Sequence, residues 1–387
     1  MKPIVALGLL ATSAFALAGV AMAQNVPAQF VVSGKNAEKI QDFTTINAAT
    51  AKAIADSCEK AAQAQGVQIS VAVLDNDGNQ VYMDRMDGQG YLNIITADMK
   101  ARTVILGRTA GKARMNRVLQ DPDGELQETQ LGYFANSGSL PIVINHQLIG
   151  AVGVGGAAPK PPVWSDEICA HKALTEVIGA ANVPPLLPDL PRKAPPPAKV
   201  VVPKFEATMA PKSTLPAEWV VNGNGASNVF DGNQISLAAA KAVAKGCRDW
   251  AESKGGGMAM YVLDNAGEIV HMERTDGETV NSIKSAILKA QSALKLRRPT
   301  SINQAQLKND PSGLVRSAVS FGIFGTEGGI PIVVDGQMIG AVGVGGVGGI
   351  GVQHGDELCP IEGLKAAFGN RVAVPVYPAG GPGSKPG

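Results

Sequence analysis

Net charge, aromatic side chains and cysteines are all scarce in this 387-residue sequence. Lysine and arginine number 34 against 33 acidic residues, a formal net charge of +1, so no excess charge favours binding to nucleic acid or to an anionic membrane surface. Aromatic residues make up 4% of the chain, which predicts a core of small and aliphatic side chains. Neither C-x-x-C nor C-x-x-C-H occurs, so a thioredoxin-like redox motif and covalent c-type haem attachment are both unsupported.

Long apolar runs are absent after the first 23 residues. Lys2, the apolar stretch 4–20 and Ala21-Met22-Ala23 form the three parts of a secretory signal peptide, with cleavage predicted after Ala23. A membrane anchor is the alternative, but the run is marginal in length for a bilayer span. We therefore expect a periplasmic or secreted protein in an oxidising compartment, with no stable membrane insertion after cleavage.

A stretch of 17 residues occurs twice in the chain. Residues 140–156 read LPIVINHQLIGAVGVGG and residues 330–346 read IPIVVDGQMIGAVGVGG, with 12 of 17 positions identical. Each copy predicts a β-hairpin, because apolar β-branched residues flank a two-residue turn, Asn145-His146 or Asp335-Gly336. The glycine run that follows indicates the close approach of another part of the backbone.

The duplication extends over nearly the whole chain at an offset of 189 or 190 residues. It predicts a signal peptide (1–23), a first domain (24–182), a Pro-rich linker (183–214), a second domain (215–370) and a disordered Pro/Gly-rich tail (371–387). Helices are predicted at 46–65, 93–108 and about 165–178, and again at 235–254, 281–298 and 356–368, with a variable polar segment before each hairpin. Hairpins beside helices, without βαβ alternation, predict an α+β fold in each unit.

The four cysteines lie at equivalent places in the two copies, Cys58 with Cys247 in the first helices and Cys169 with Cys359 in the last. Three connectivities are possible. The duplication favours Cys58–Cys169 and Cys247–Cys359, because each domain could then close its own disulfide. A redox pair and a metal site are the functional alternatives. None of the four histidines has a histidine at the matching position of the other copy, so no duplicated histidine metal site is predicted.

Charged residues and glycines that recur in both copies are the first candidates for a ligand site. Arg85 and Arg274 each open an Arg-x-Asp-Gly motif, which is either an ordinary turn with a surface ion pair or part of a polar pocket beside the middle helix. The glycine run leads to the N-terminus of the last helix, where free backbone N–H groups could hold an anionic group; a loop that merely lets chains pack is the alternative. The full set of candidates is Arg85, Lys100, Gly153, Gly155, Gly156, Arg274, Lys289, Gly343, Gly345 and Gly346.

Two familiar classes of enzyme site find little support in these motifs. Residues 343–348 satisfy G-x-G-x-x-G, but the motif does not open a helix within a βαβ unit, so a dinucleotide site is rejected. Serine, histidine and an acid do not recur together in the two copies, so hydrolytic chemistry is not indicated.

The order of these motifs resembles the GlcG/HbpS family. The resemblance rests on residues 73–79, 85–88, 100–101, 141–143, 150–156 and 166–169, and on the same order between Val262 and Cys359. It implies two tandem profilin-like domains, each a five-stranded antiparallel sheet covered by helices, that pair as a pseudo-dimer and assemble into homo-oligomers. Members of the family include extracellular haem-binding proteins, and a related domain ends some corrinoid adenosyltransferases of the PduO type.

The family resemblance also implies haem as a cofactor, but the sequence departs from it at one position. Many relatives have a histidine after the glycine of the first hairpin turn, where this chain has Asn79 and Glu268. An axial ligand would therefore come from another residue, and the candidates are Tyr82, Met83, His271 and Met272. The leading hypothesis is a non-catalytic, exported binding protein for haem or a related small molecule. The alternatives are a partner-binding subunit of a periplasmic redox or catabolic system and, with the weakest support, an enzyme acting on a small carboxylate or aldehyde.

Overall fold

The fold consists of two repeats of the same helices and strands. The computed structural model describes residues 26–32, 44–121, 128–157, 163–191, 214–221, 232–309, 322–347 and 352–376. The elements of the first repeat are α1 (Ala48–Ala64), β1 (Ser70–Asp75), β2 (Gln80–Arg85), α2 (Tyr91–Gly107), α3 (Gly111–Gln120), β3 (Ser139–Ile144), β4 (Gln147–Gly155) and α4 (Asp166–Ile178). Those of the second are α5 (Leu237–Ser253), β5 (Ala259–Asp264), β6 (Ile269–Arg274), α6 (Val280–Leu296), α7 (Thr300–Asn309), β7 (Gly329–Val334), β8 (Gln337–Gly345) and α8 (Gly355–Phe368).

All eight strands form one antiparallel sheet in the order β3-β4-β1-β2-β6-β5-β8-β7. The two repeats join where β2 pairs with β6, with Tyr82 opposite Glu273, Met83 opposite Met272 and Asp84 opposite His271. We call this junction the seam. The described residues give four strands to each repeat, so the two separate five-stranded sheets expected from the family resemblance are not confirmed. The mixed helix and antiparallel-sheet architecture is confirmed.

Neighbouring side chains of a strand point to opposite faces of the sheet, so each strand packs against helices on both faces. Val71 and Val73 lie in the larger core cluster with α1 residues such as Ile54, whereas Ala72 lies in a second cluster with Ile94 of α2. Helices α1, α4, α5 and α8 contact one face of the sheet, and α2 and α6 contact the other. The core is largely aliphatic, as the scarcity of aromatic residues predicts.

Each repeat closes its own disulfide, Cys58–Cys169 in the first and Cys247–Cys359 in the second. The pairing favoured by the duplication is therefore confirmed. The bonds join α1 to α4 and α5 to α8, two pairs of helices that lie side by side on the sheet. Among the described residues no helix is long and apolar enough to cross a membrane. The predicted signal peptide, 1–23, lies outside the described residues.

The predicted hairpins have the expected turns, since φ is 49° at Asn145, 67° at His146, 48° at Asp335 and 76° at Gly336. These positive angles are the ones that a type I′ turn requires.

Four segments show features that the sequence did not predict. The variable polar segments contain the helices α3 and α7, which were not predicted. The first residues of the predicted linker pack on α3, where the Asn116 side chain donates to the Pro188 carbonyl. The first residues of the predicted tail run along β7, where Val372 pairs with Val334. Residues 192–213 of the linker and 377–387 of the tail lie outside the described residues.

Candidate functional site

The two Arg-x-Asp-Gly motifs lie at the seam and connect the repeats. The Arg85 guanidinium is 2.5 Å from the Asp264 carboxylate of the other repeat, and Arg274 is 2.6 Å from Asp75 in the reciprocal contact. The Arg85 and Asp264 side chains are 5% and 0% exposed, so this ion pair is enclosed by protein rather than held at the surface. The predicted ligand-binding arginines thus have carboxylate partners within the chain.

The aspartates of the same motifs bind helix N-termini across the seam. Asp276 accepts a hydrogen bond of 2.8 Å from the Ala48 backbone N–H at the start of α1, and Asp87 accepts one of 2.8 Å from Leu237 at the start of α5. A carboxylate at this end of a helix satisfies an unpaired N–H group and lies favourably in the helix dipole. Sequence reasoning missed this role, although the recurrence of the whole motif in both copies was its signal.

The two recurring lysines fix the middle helices to the sheet. Lys100 Nζ donates to the Val154 carbonyl at 2.9 Å and to Asp166 at 2.7 Å. Lys289 makes the equivalent bonds to Val344 and Asp356 at 2.8 and 2.6 Å. Both lysines are buried, and each joins its helix to the end of the hairpin and to the start of the last helix.

The recurring glycines permit close packing between strand and helix. A Cβ atom on Gly153 would overlap the Ala97 carbonyl oxygen of α2, and one on Gly343 would overlap that of Ala286 of α6. Gly155 and Gly345 meet the same two helices one turn nearer their N-termini, and Gly156 and Gly346 turn the chain away with φ of 88° and 103°. The structure therefore supports the packing alternative; a ligand-contact role for this run stays a prediction.

The four candidate haem ligands lie together at the centre of the seam, on opposite faces of the sheet. Met83 and Met272 are buried in the core beneath α2 and α6. Tyr82 and His271 face α1 and α5, with their rings 5.4 Å apart in an edge-on arrangement. Strand alternation imposes this separation, because neighbouring residues of one strand point to opposite faces.

His271 is held in a buried ion cluster. Its Nδ1 lies 2.6 Å from Asp84 Oδ1, its Nε2 lies 3.5 Å from Glu273 Oε2, and the ring is fully buried. Burial alone would lower the pKa of His271, but the Asp84 and Glu273 carboxylates raise it to about 9. The ring is therefore protonated at neutral pH, and its interactions are with carboxylates of the chain.

A cleft of about 530 Å³, which we call the seam cleft, opens between the N-terminus of α1 and the C-terminal end of α5. Its walls carry a Gly255-Gly256-Gly257 loop, the Tyr82 ring and six charged side chains. Three of these are cations and three are acids: Lys52, Arg248, Arg274, Glu252, Glu273 and Asp276. The Tyr82 side chain is 1% exposed, yet its hydroxyl has no hydrogen-bond partner among the described residues. A buried hydroxyl without a partner costs free energy, so this atom marks a place where a bound ligand would complete the site. Of the four candidate haem ligands, Tyr82 is the one that lines this cleft.

These features define a duplicated α+β protein whose two repeats share one sheet and enclose a polar cleft at their junction. A model of the family described as "Haem degrading protein HbpS-like" matches residues 46–175 and 235–365, which is more than half of the chain. The chain belongs to this family, and the resemblance noted in the sequence is confirmed.

The known relatives correspond in length to a single repeat. An uncharacterized 15.0 kDa protein from the dhaT-dhaS intergenic region of Citrobacter freundii is 32% identical over 140 residues, 35% of this chain and 94% of that protein. Protein GlcG of Escherichia coli strain K12 is 30% identical over 110 residues, 28% of this chain and 80% of GlcG. The solved structure of a double mutant of Streptomyces reticuli HbpS is 25% identical, covers 39% of this chain and 99% of that one, and has a TM-score of 0.32.

Proposed function

We propose that the protein is an exported, non-catalytic binding protein for haem or a related tetrapyrrole, and that the seam cleft is its ligand site. The carrying observation is the buried Tyr82 hydroxyl, which has no hydrogen-bond partner among the described residues. Tyr82 lines a cleft whose volume lies within the usual range of small-molecule sites, about 300–1,000 Å³. Membership of a family whose description names haem supports the ligand class. The two disulfides and the signal-like N-terminal sequence support export.

The residues of the seam cleft suit the chemistry of haem. Tyrosine is an established protein ligand of haem iron, and Tyr82 offers a phenol oxygen with no competing hydrogen bond among the described residues. Lys52 and Arg248 are paired with Asp56 and Glu273, and they would bind the propionate groups of haem by exchanging these carboxylates for those of the ligand. Burial raises the pKa of the Tyr82 phenol well above its usual range, and nearby carboxylates raise it further, so an uncharged phenol is expected until a cation such as ferric iron binds.

A hemin titration of the mature chain tests the proposal. We expect a saturable, shifted Soret band, and we expect Tyr82→Phe to change the band position and weaken binding by about tenfold or more, because the oxygen ligand is lost. Tyr261→Phe is the matched control, since Tyr261 is buried to the same extent on the other face of the sheet. Identical titrations for Tyr82→Phe and the wild type would remove the site from the seam cleft.

A flat titration of the wild type, after aggregates are removed, would contradict the haem proposal and favour the second candidate, a partner-binding subunit. One observation supports that candidate. Helix α2 exposes Leu92, Ile95 and Met99 at 72%, 43% and 40%, and the equivalent residues of α6 are Asn281, Lys284 and Leu288. An apolar helix face of this kind is typical of a contact with another protein, including a second copy of the chain in a homo-oligomer.

A further inference from the structure

The seam has two clefts, related by the pseudo-two-fold arrangement of the repeats. The second, which we call the paired cleft, lies between the N-terminus of α5 and the C-terminal half of α1 and has a volume of about 380 Å³. Its lining residues occupy the positions that line the seam cleft, at an offset of 189. They are Glu59, Gln63, Gln68, Met86, Asp87, Leu237, Ala238 and Lys241.

Several equivalent positions of the two clefts carry different residues. Where the seam cleft has Tyr82 beneath it, the paired cleft has His271. Where the seam cleft has Arg248, the paired cleft has Glu59, so a cation is replaced by a carboxyl group. Two charged positions line both clefts: the lysine, as Lys52 and Lys241, and the aspartate, as Asp276 and Asp87.

In the paired cleft, Lys241 belongs to a buried ion cluster. Lys241 Nζ lies 2.9 Å from Glu59 Oε2 and 2.7 Å from Asp84 Oδ2, and the other Asp84 oxygen contacts His271. Burial lowers the pKa of Lys241, but the Asp84 and Glu59 carboxyl groups outweigh burial and raise it. An anionic ligand would have to displace the Asp84 carboxylate, which already lies 2.7 Å from Lys241 Nζ.

In the seam cleft the same lysine cannot form that cluster, because the position facing it carries a second cation. Arg248 forms an ion pair of 2.5 Å with the Glu273 carboxylate. Lys52 forms an ion pair with Asp56, one helical turn further along α1, and 42% of the Lys52 side chain is exposed. The Gly255-Gly256-Gly257 loop also replaces Gly66-Val67-Gln68, which removes two side chains from the wall. The result is a larger cleft, lined by a half-exposed lysine and by Tyr82, whose hydroxyl has no hydrogen-bond partner among the described residues.

We infer that each chain binds one anionic ligand, in the seam cleft, and that the paired cleft has become a structural ion cluster that binds none. This inference rests on the proposed function for the place of binding, and it adds the stoichiometry and the charge of the ligand. Arg248 determines which cleft binds the anion, because the equivalent residue of the paired cleft is Glu59.

Two probes and two matched variants test the inference. The probes are hemin and anilinonaphthalene sulfonate, an aromatic anion without iron, each titrated by calorimetry into the oxidised full chain. The variants are Arg248→Gln and Glu59→Gln, which place the same neutral side chain at equivalent positions of the two clefts. Near-ultraviolet circular dichroism and the melting temperature report whether each variant keeps its fold.

We expect one hemin per chain, binding about tenfold weaker in Arg248→Gln, and affinity within twofold of wild type in Glu59→Gln. Two hemins per chain, or equal weakening by both variants, would overturn the single-site inference and leave haem binding intact. One equivalent of the sulfonate that depends on Arg248, without hemin binding, would keep the inference and remove the haem proposal. Binding of either probe that Arg248→Gln leaves unchanged, or binding of neither, would sink the inference.

Discussion

At the scale of single residues, the exchange of Tyr82 for His271 separates the two halves of the seam. Both side chains are buried on the same face of the sheet, and both occupy the same place in their repeats. Among the described residues the Tyr82 hydroxyl and His271 Nε2 both lack a hydrogen-bond partner, but His271 also has two carboxylates beside its ring, Asp84 at 2.6 Å from Nδ1 and Glu273 at 3.5 Å from Nε2. The sequence showed that His271 replaces Tyr82 but could not show the carboxylates around it, because these come from strands of two different repeats.

The ion cluster around His271 makes stability depend on pH. Burial opposes protonation of His271, but Asp84 and Glu273 raise its pKa to about 9 from 6.5. Burial and then Asp84 raise the pKa of Glu59 to about 8 from 4.5, with Lys241 opposing the rise. Both groups bind more protons in the folded state, so stability is full below the unfolded pKa of each group and falls as pH rises through its folded pKa.

We expect the free energy of unfolding to fall between about pH 5 and pH 9, by an amount on the order of 3 kcal/mol for His271 alone. His271→Tyr, which restores the residue of the first repeat, removes this group and reduces the slope above about pH 6.5, leaving the fall due to Glu59, which ends near pH 8. Urea unfolding at a series of pH values measures the effect. His171→Gln, on α4 and half-buried, is the control that keeps the slope. A wild-type profile that is level or rises between pH 6.5 and 9 would contradict the role assigned to the cluster.

At the scale of helices and strands, local sequence signals were sufficient for most elements. Asn47, Ser165 and Ser236 each accept a hydrogen bond from the backbone N–H three residues later, so the first helices and α4 begin within two residues of their predicted starts. The hairpins followed from their turns and apolar alternation. Helices α3 and α7 were missed because both are short and mostly polar.

The cross-seam caps are testable at this scale. Asp276→Ala removes the acceptor of the Ala48 N–H, and we expect a loss of about 1–2 kcal/mol in the free energy of unfolding. Asp276→Asn is the control, because its amide oxygen can still accept the bond and most of the stability is retained. Asp87→Ala should have a similar cost at α5, and the two losses should add because the caps share no partner. Urea denaturation of the wild type, these three variants and the double alanine variant gives these values, and a loss below about 0.3 kcal/mol in both single alanine variants would speak against the caps.

At the scale of the whole molecule, the sequence could not predict that the two repeats join through β2 and β6. Residues that pair across β2 and β6 are separated by about half the chain, and an edge strand carries little information about which other edge it joins. The recurrence of Arg85, Asp87, Arg274 and Asp276 was visible, but recurrence fits a ligand pocket and a repeat junction equally well. The disulfides could be assigned because the duplication itself reduced three connectivities to one that each repeat could form alone.

The disulfides should stabilise the two repeats to the same degree. They enclose 111 and 112 residues, and in the chain-entropy model a loop of this size is worth about 4–5 kcal/mol. We expect Cys58→Ala with Cys169→Ala, and separately Cys247→Ala with Cys359→Ala, to lower the free energy of unfolding by similar amounts. Because both repeats share one sheet, calorimetry of each variant should show a single transition. Two well-separated transitions would show that the seam does not couple the repeats.

The continuous sheet also fixes what each substitution can do. If two identical single-repeat chains met through such a junction, every mutation would appear on both sides of the axis, and a histidine at position 82 would face another histidine. When the two copies are joined in one polypeptide, equivalent positions on the two sides can be substituted independently. One place in the repeat can then hold a carboxyl group, Glu59, on one side and a cation, Arg248, on the other. In a fused chain, the seam cleft can therefore change for ligand binding while the paired cleft keeps a structural ion cluster.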